Sequence, residues 1–210
     1  MKATANVLQG YAEDAPELVD RFESLSTDAI LAPVRDLLPC SPCRILDVGA
    51  GTGRDAAWFA RQGHEVVAVE PVAGLRSAGI ERHPCAGLVW IDDRLPDLEA
   101  VAATGVRFDL ILLDGVWQHL PPPDHPRGLD ALAALLAPGG KLILSVRHGP
   151  GAANRPCFPA DVEALIAEAD RLCLSLLRRQ SAPSIQEANR LAGVTWTWLA
   201  FQRGEQPVVR

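Results

Sequence analysis

From residue 44 onward, short apolar runs alternate with segments of helical periodicity, and this alternation limits the possible folds more than any other feature of the sequence. The apolar runs are rich in Val, Ile and Leu and alternate only weakly with polar residues, as is typical of strands covered by helices on both faces. Repeated strand–helix units predict an α/β fold with a doubly wound, mostly parallel sheet. Strands are predicted at residues 44–48, 65–70, 88–92, 108–114 and 141–146, and helices at 55–62, 73–82, 95–104 and 126–136.

The last third of the sequence adds a helix at 160–169 and strands at 172–178 and 194–202. Because no crossover helix is predicted between these two strands, they are expected to form an antiparallel pair at the sheet edge. The expected sheet is therefore Rossmann-like, with seven strands and an antiparallel last strand.

A leader of about 40 residues precedes the first strand. Its apolar residues recur at helical spacing and predict two amphipathic helices, the second punctuated by Pro33 and Pro39. We expect residues 1–40 to form a helical lid on a main domain that spans residues 41–210.

Charge and hydropathy narrow the classes of partner. The net charge of −6 and the absence of a basic stripe argue against nucleic acid, so a small-molecule substrate is expected. No apolar run approaches the roughly 20 residues of a membrane span. A cytoplasmic protein without membrane contact, acting as a monomer or homodimer, is expected.

Cys40 and Cys43 form a C-x-x-C pair. A zinc site would need a second cluster of ligands, and the sequence has no second C-x-x-C. The pair leads into a strand, whereas a thioredoxin-type motif opens a helix. We interpret these cysteines as reduced thiols and expect no metal.

The segment LDVGAGTGRD, residues 46–55, places three glycines between the first strand and the first helix of the main domain. Glycine allows a tight turn and a close approach of a ligand to the backbone. A dinucleotide fingerprint has the spacing G-x-G-x-x-G, whereas this loop reads G-x-G-x-G. Asp47, just before the loop, would repel a pyrophosphate and accept a hydrogen bond from the amino group of a methionine moiety. The loop therefore disfavours NAD.

Acidic residues follow the next two strands. Glu70 comes 17 residues after Gly53, where an acid accepts hydrogen bonds from ribose hydroxyls. Asp92 and its neighbour Asp93 compete to receive the adenine amino group. Ligands of open α/β sheets bind beyond the carboxyl ends of the strands, so these acids are expected to converge on one ligand.

At this point the chain resembles the class I S-adenosylmethionine-dependent methyltransferases, of the small-molecule type. The segments that carry the resemblance are LDVGAGTGRD, VVAVEP, WIDD, FDLILLDGVWQHLP and LAPGGKLILSV, and together they extend over residues 42–201. The resemblance implies S-adenosylmethionine as cofactor, with S-adenosylhomocysteine as product. It also implies the cofactor-binding set Asp47, Gly49, Ala50, Gly51, Gly53, Arg54, Glu70, Pro71, Asp92, Asp93, Asp114 and Gly115.

In this family the methyl group moves by direct displacement, and a base is needed where the acceptor is a hydroxyl or a protonated amine. His148, directly after the fifth strand, is the first candidate and His119 the second. Arg147, Tyr11 and Trp117 are candidates for contact with the substrates. Trp90 is a further candidate neighbour of adenine, whereas Trp196 and Trp198 are expected in the core.

The acceptor pocket is expected between the leader and the loop at 181–193, since the connection after the fifth strand is short. O-, N- or S-methylation of a small metabolite fits best. The alternative is a non-catalytic S-adenosylmethionine-binding regulatory or partner protein, in which the cofactor residues are intact and the acceptor pocket is degenerate. An NAD enzyme and an aminopropyltransferase are less favoured readings.

Overall fold

A computed structural model describes residues 2–204, and the side chains of residues 4–204. Its centre is a seven-stranded sheet with the order β3-β2-β1-β4-β5-β7-β6. All pairings from β3 to β5 are parallel, whereas β7 runs antiparallel to both β5 and β6. The predicted fold class is confirmed. The strands are β1 (Arg44–Val48), β2 (Glu65–Val69), β3 (Leu88–Ile91), β4 (Phe108–Leu113), β5 (Leu136–His148), β6 (Leu174–Pro183) and β7 (Thr195–Arg203).

Helices cover both faces of the sheet, as the weak alternation of the strands predicts. Successive residues of β4 show this directly: Leu110 and Leu112 enter one apolar cluster, and Ile111 and Leu113 the other. The α-helices are α1 (Lys2–Glu23), α2 (Thr27–Ile30), α3 (Arg54–Ala60), α4 (Ala73–Arg82), α5 (Glu99–Ala103), α6 (His125–Leu135), α7 (Val162–Arg171) and α8 (Glu187–Leu191). In this described part, no helix is long and apolar enough to cross a membrane.

The start of β5 differs from the prediction. The Ala-Pro-Gly-Gly segment at 137–140 was expected to separate a helix from a strand beginning at 141, but β5 already pairs with β4 at Leu136. The register then shifts, and Lys141 pairs with Leu110. Gly139, at φ +74°, lets the chain bulge here without leaving the sheet.

The leader also differs from the prediction. It holds one helix of 22 residues, α1, followed by the single turn of α2 and a 3₁₀ segment at Ala32–Leu37. The apolar face of α1 packs on α4, where Leu18 and Val19 join Leu75 in a buried cluster. The second predicted amphipathic helix is thus reduced to short turns, since Pro33 lies where it would have to continue.

Polar contacts fasten the middle and the C-terminal end of α1 to the main domain. Near its middle, Asp14 pairs with Arg155 and accepts a hydrogen bond from Asn154 at 3.1 Å. At its C-terminal end, Glu23 contacts His83 at 3.0 Å. The helix therefore spans from the segment after β5 to α4.

Gly10 tests this docking. On helix propensity, Gly10→Ala should stabilise α1 by about 1 kcal/mol. A Cβ at this position would lie 2.1 Å from the carbonyl oxygen of Asn154, and overpacking costs about 1–3 kcal/mol. We therefore expect Gly10→Ala to lower the melting temperature in thermal unfolding. The exposed Ala12 provides the control. Ala12→Gly should lower the melting temperature through helix propensity alone. A higher melting temperature for Gly10→Ala would contradict the observed docking of α1.

Candidate active site

A cavity of about 740 Å³ lies at the carboxyl ends of β1, β2, β4 and β5. This volume is within the usual range for small-ligand sites, about 300–1,000 Å³. Helix α1 forms its roof, and residues 150–157 and 182–192 contribute to its walls. The leader and the loop after β6 thus both line the cavity, where the acceptor pocket was expected.

The glycine loop forms the floor at the end of β1. Gly49 and Gly51 line the cavity and adopt φ values of +72° and +59°, which glycine tolerates without the steric cost of a Cβ. Gly53, also predicted to bind cofactor, is not among the lining residues. Its missing Cβ makes room for the Trp90 ring, which would lie 2.5 Å away. Trp90 therefore packs behind the loop.

Three acids surround the Arg54 guanidinium below the loop. Arg54 bonds both carboxylate oxygens of Asp55, at 2.9 and 2.6 Å, and lies 3.8 Å from Asp114. Burial, and then the charge of Asp55, raise the pKa of Asp114 to about 6. The same two causes raise the pKa of Asp47 well above its usual value.

Asp47 has an unsatisfied oxygen. Its residue is 3% exposed and lines the cavity, and its Oδ2 finds no hydrogen-bond partner among residues 4–204. Buried carboxylate oxygens are normally hydrogen-bonded, because leaving one unpaired is costly. This oxygen is therefore available to a donor group on a ligand.

Glu70 follows β2 and faces the same cavity. Its two carboxylate oxygens accept hydrogen bonds from the backbone N–H groups of Gly51 and Val72, each at 2.8 Å. Burial raises the pKa of Glu70 to about 7, against the lowering effect of those two hydrogen bonds. Pro71 lies beside it on the cavity wall.

The structure separates Asp92 from Asp93, which the sequence left as competitors for one role. Asp92 is exposed, pairs with Arg76 at 2.8 Å, and does not belong to the cavity lining. Asp93 lines the cavity, with its carboxylate accepting bonds from the backbone N–H groups of Arg94 and Val101. Strand β3 ends at Ile91, one residue earlier than predicted, and Asp93 is the acid that faces the cavity.

Tyr11 and His119 meet across the cavity, although 108 residues separate them in the chain. The hydroxyl of Tyr11 lies 2.9 Å from Nε2 of His119, and Nδ1 of His119 lies 3.1 Å from the carbonyl oxygen of Pro156. A carbonyl can only accept, so Nδ1 carries the proton and Nε2 accepts from the tyrosine. Burial lowers the pKa of His119, and it raises the pKa of Tyr11 to about 12. Both groups are thus neutral near pH 7.

Two other predicted residues lie away from the cavity. His148, the first candidate base, points to Thr197, whose hydroxyl is 2.8 Å from its Nε2. Its neighbour Arg147 lines the cavity instead, because successive strand residues point to opposite faces. Trp117 is fully buried in the apolar core against His125, so it does not line the cavity in which its substrate contact was predicted.

Several cavity residues escaped the sequence-based prediction. Gln118 lines the cavity and bonds the backbone oxygen of Gly115. Ser145, itself outside the cavity lining, donates to Asp114 at 2.9 Å and accepts from the Gly115 N–H at 2.8 Å. Trp196 and Trp198, expected only in the core, also line the cavity. No sequence pattern marks these side chains, and the direction of the two tryptophans depends on the pairing of β5 with β7. Among residues 2–204, no group of three or more His, Cys, Asp or Glu is placed to hold a metal ion.

A family described as a methyltransferase domain matches residues 11–203, which include most of α1 and the whole sheet. The chain belongs to this family. The resemblance to class I S-adenosylmethionine-dependent methyltransferases is thereby confirmed.

Relatives of known name agree with this membership. A demethylmenaquinone methyltransferase of Clavibacter sepedonicus is 31% identical, over 86% of this chain and 80% of the relative. A protein-L-isoaspartate O-methyltransferase of Methylorubrum extorquens is 33% identical over 63% of this chain and 55% of the relative. A ubiquinone biosynthesis O-methyltransferase of Cereibacter sphaeroides is 38% identical, over 53% and 45%. The chain spans about half the length of the last two relatives.

A solved methyltransferase shares the fold. The N1-methyltransferase of Burkholderia thailandensis, crystallised with 1,6-didemethyltoxoflavin and S-adenosylhomocysteine, matches with a TM-score of 0.73 and 23% identity. The match covers 96% of this chain and 88% of that one.

The pKa of Glu70 gives the site a pH dependence. The carboxylate, but not the carboxylic acid, accepts two hydroxyl donors, so ligand hydroxyls stabilise the ionised form. With a pKa of about 7, we expect the affinity for S-adenosylhomocysteine to rise by up to about tenfold between pH 6 and 8, measured by calorimetry. Glu70→Gln should weaken binding and flatten the profile, whereas the exposed Glu65→Gln should not. Retention of the full rise of about tenfold in Glu70→Gln would contradict the role of Glu70.

Proposed function

We propose that this methyltransferase transfers the methyl group of S-adenosylmethionine to a small-molecule acceptor by direct displacement. The observation that carries the proposal is the unsatisfied oxygen of Asp47 beside the glycine loop. A buried acid there suits a ligand with a cationic amino group, and repels the pyrophosphate of a dinucleotide.

The other polar groups of the cavity fit the same cofactor. Glu70 has lone pairs left for ribose hydroxyls, since each oxygen accepts one backbone N–H. Gly49 and Gly51 leave the loop without side chains against the ligand. Asp114 supplies a further carboxylate toward the methionine end, and Asp93, rather than Asp92, lines the cavity where adenine would lie.

Bound S-adenosylmethionine supplies a methyl group on a sulfonium, which is a good leaving group. The contribution of the protein is then to hold the acceptor atom in line with that methyl group, which is worth effective molarities of about 10⁵–10⁸ M. The cavity walls serve this purpose, with α1 as the roof that excludes water.

Tyr11 and His119 are placed to remove the proton of the acceptor. As an acceptor O–H or N–H gains its methyl group, its proton passes to the oxygen of Tyr11, while the hydroxyl proton of Tyr11 passes to Nε2 of His119. The pair ends as neutral tyrosine and imidazolium, and Nδ1 remains bonded to Pro156. Proton transfer of this kind contributes about 10²–10⁴-fold to a rate.

The acceptor class follows from the enclosure of the cavity. A roofed cavity of about 740 Å³ has room for the cofactor and a small molecule. The names of the relatives include small-molecule O- and N-methyltransferases. We propose the same class here, in a cytoplasmic monomer or homodimer.

The cofactor is tested by thermal unfolding with about 1 mM S-adenosylhomocysteine or NAD. A ligand at 100 times its Kd stabilises by about 2.7 kcal/mol, or roughly 5–10 °C for this length. We expect a shift with S-adenosylhomocysteine and none with NAD. Asp47→Asn should keep the melting temperature of the free protein and lose at least half of the shift, and Asp109→Asn, outside the cavity, is the matched control. A shift with NAD alone would overturn the assignment.

Methyl transfer itself is tested at the Tyr11–His119 pair. Tyr11→Phe and His119→Gln should each lower kcat by about 10²-fold or more, while retaining the thermal shift with S-adenosylhomocysteine. With S-adenosylmethionine kept saturating, kcat/KM for the acceptor in the unchanged protein should fall on the acid side below pH 6.5, the ordinary histidine pKa, and His119→Gln should remove that limb. Loss of activity in His148→Gln but not in His119→Gln would contradict the assignment. Cofactor binding without transfer to any acceptor would favour the non-catalytic alternative.

A further inference from the structure

Arg147 lines the cavity at the end of β5, on the side proposed for the methyl acceptor. Its hydrogen-bond partners are uncharged. Its Nε and Nη2 donate to the carbonyl oxygen of Pro150 at 3.2 and 2.7 Å, and Nη2 also donates to Oδ1 of Asn189 at 3.3 Å. The guanidinium carbon lies 5.5 Å from the ring centroid of Trp196. These contacts fix the orientation of the side chain without neutralising its charge.

The other arginines of the cavity differ from Arg147. Arg54 is paired with Asp55, and Arg155 with Asp14. Arg21 and Arg94 are exposed, so water solvates them. Within residues 4–204, Arg147 is thus the half-buried cavity arginine that forms no ion pair.

The N–H donors of Arg147 that its contacts leave unused are available to a ligand. A guanidinium has five N–H donors, and the three contacts above use the Nε–H and both protons of Nη2. The two protons of Nη1 remain. Partly desolvated cations are costly unless an anion or other strong acceptor satisfies them, and charge-assisted hydrogen bonds to oxyanions are the strongest available.

We propose that Nη1 of Arg147 binds a carboxylate of the methyl acceptor, so that this enzyme methylates a small organic acid. This inference rests on the proposed methyltransferase function and names the substrate class for the same cavity. The acid is a recognition group, and the methyl group goes to a second atom of the same molecule.

The surroundings of Arg147 place that second atom. The Trp196 ring extends from Arg147 to Gly115, where a Cβ would lie 3.6 Å from it. An acceptor lying along this ring has its acid at Arg147 and its far end beside Asp114, on the donor side. Tyr11 and His119, the proposed proton-accepting pair, line the same cavity as Arg147.

The test uses the full chain saturated with S-adenosylhomocysteine and a panel of small carboxylic acids, each paired with its primary amide, from benzoic to hydroxybenzoic and short aliphatic acids. Affinity is measured by thermal shift and calorimetry. We expect acids to bind at least tenfold more tightly than their amides. A panel in which no acid binds more tightly than its amide overturns the inference.

Substitutions then assign the preference to one side chain. Arg147→Met should remove the tenfold difference between acid and amide, Arg147→Lys should retain part of it, and the exposed Arg61→Met should leave it unchanged. With S-adenosylmethionine and an accepted acid, Arg147→Met should raise KM at least tenfold with a smaller change in kcat. An acid preference that survives in Arg147→Met overturns the assignment.

The two proposals fail in different ways. If the unchanged protein shows no shift with S-adenosylhomocysteine, the proposed function is wrong. If that shift is present in the unchanged protein and in Arg147→Met, but the acid preference is absent from both, the substrate class alone is wrong.

Discussion

The guanidinium of Arg54 makes it possible for several acids to be buried together at the end of β1. It bonds Asp55 through two contacts, approaches Asp114 at 3.8 Å, and opposes the rise in the pKa of Asp47. It also donates to the backbone oxygen of Phe22 at 3.0 Å. One side chain therefore connects the ends of two strands with the roof helix. Without the positive charge of Arg54, the carboxylates would repel one another, and the floor of the cavity could not hold several of them together.

The half of the cavity that we propose for the cofactor, at the ends of β1, β2 and β4, was largely predictable from the sequence. Parallel strands bring their carboxyl ends to one edge, so Asp47, Glu70 and Asp114 had to meet once the strands were located. The sequence could not decide between Asp92 and Asp93, because adjacent strand residues point to opposite faces and the end of β3 was located only to within one residue. The structure places Asp93 at the cavity and Asp92 outside its lining.

The other half, which we propose for the methyl acceptor and which lies beneath α1 and at the end of β5, was much less predictable. The contact between Tyr11 and His119 joins the leader to the loop after β4, and no local pattern encodes such a distant pair. His148 and Arg147 were both candidates, but only the pairing of β5 with β7 decides which one faces the cavity. There Arg147 pairs in register with Trp196, which brings the guanidinium and the indole together. Long-range register, rather than local propensity, forms this part of the site.

Helix α1 covers the donor end and the acceptor end of the cavity as one continuous element. Phe22 lies against Gly51 of the glycine loop, and Tyr11 bonds His119 about three turns earlier in the same helix. Under the proposed function, exchange of either ligand would disturb contacts of this one helix, so the release of the spent donor and that of the methylated product would be coupled through it.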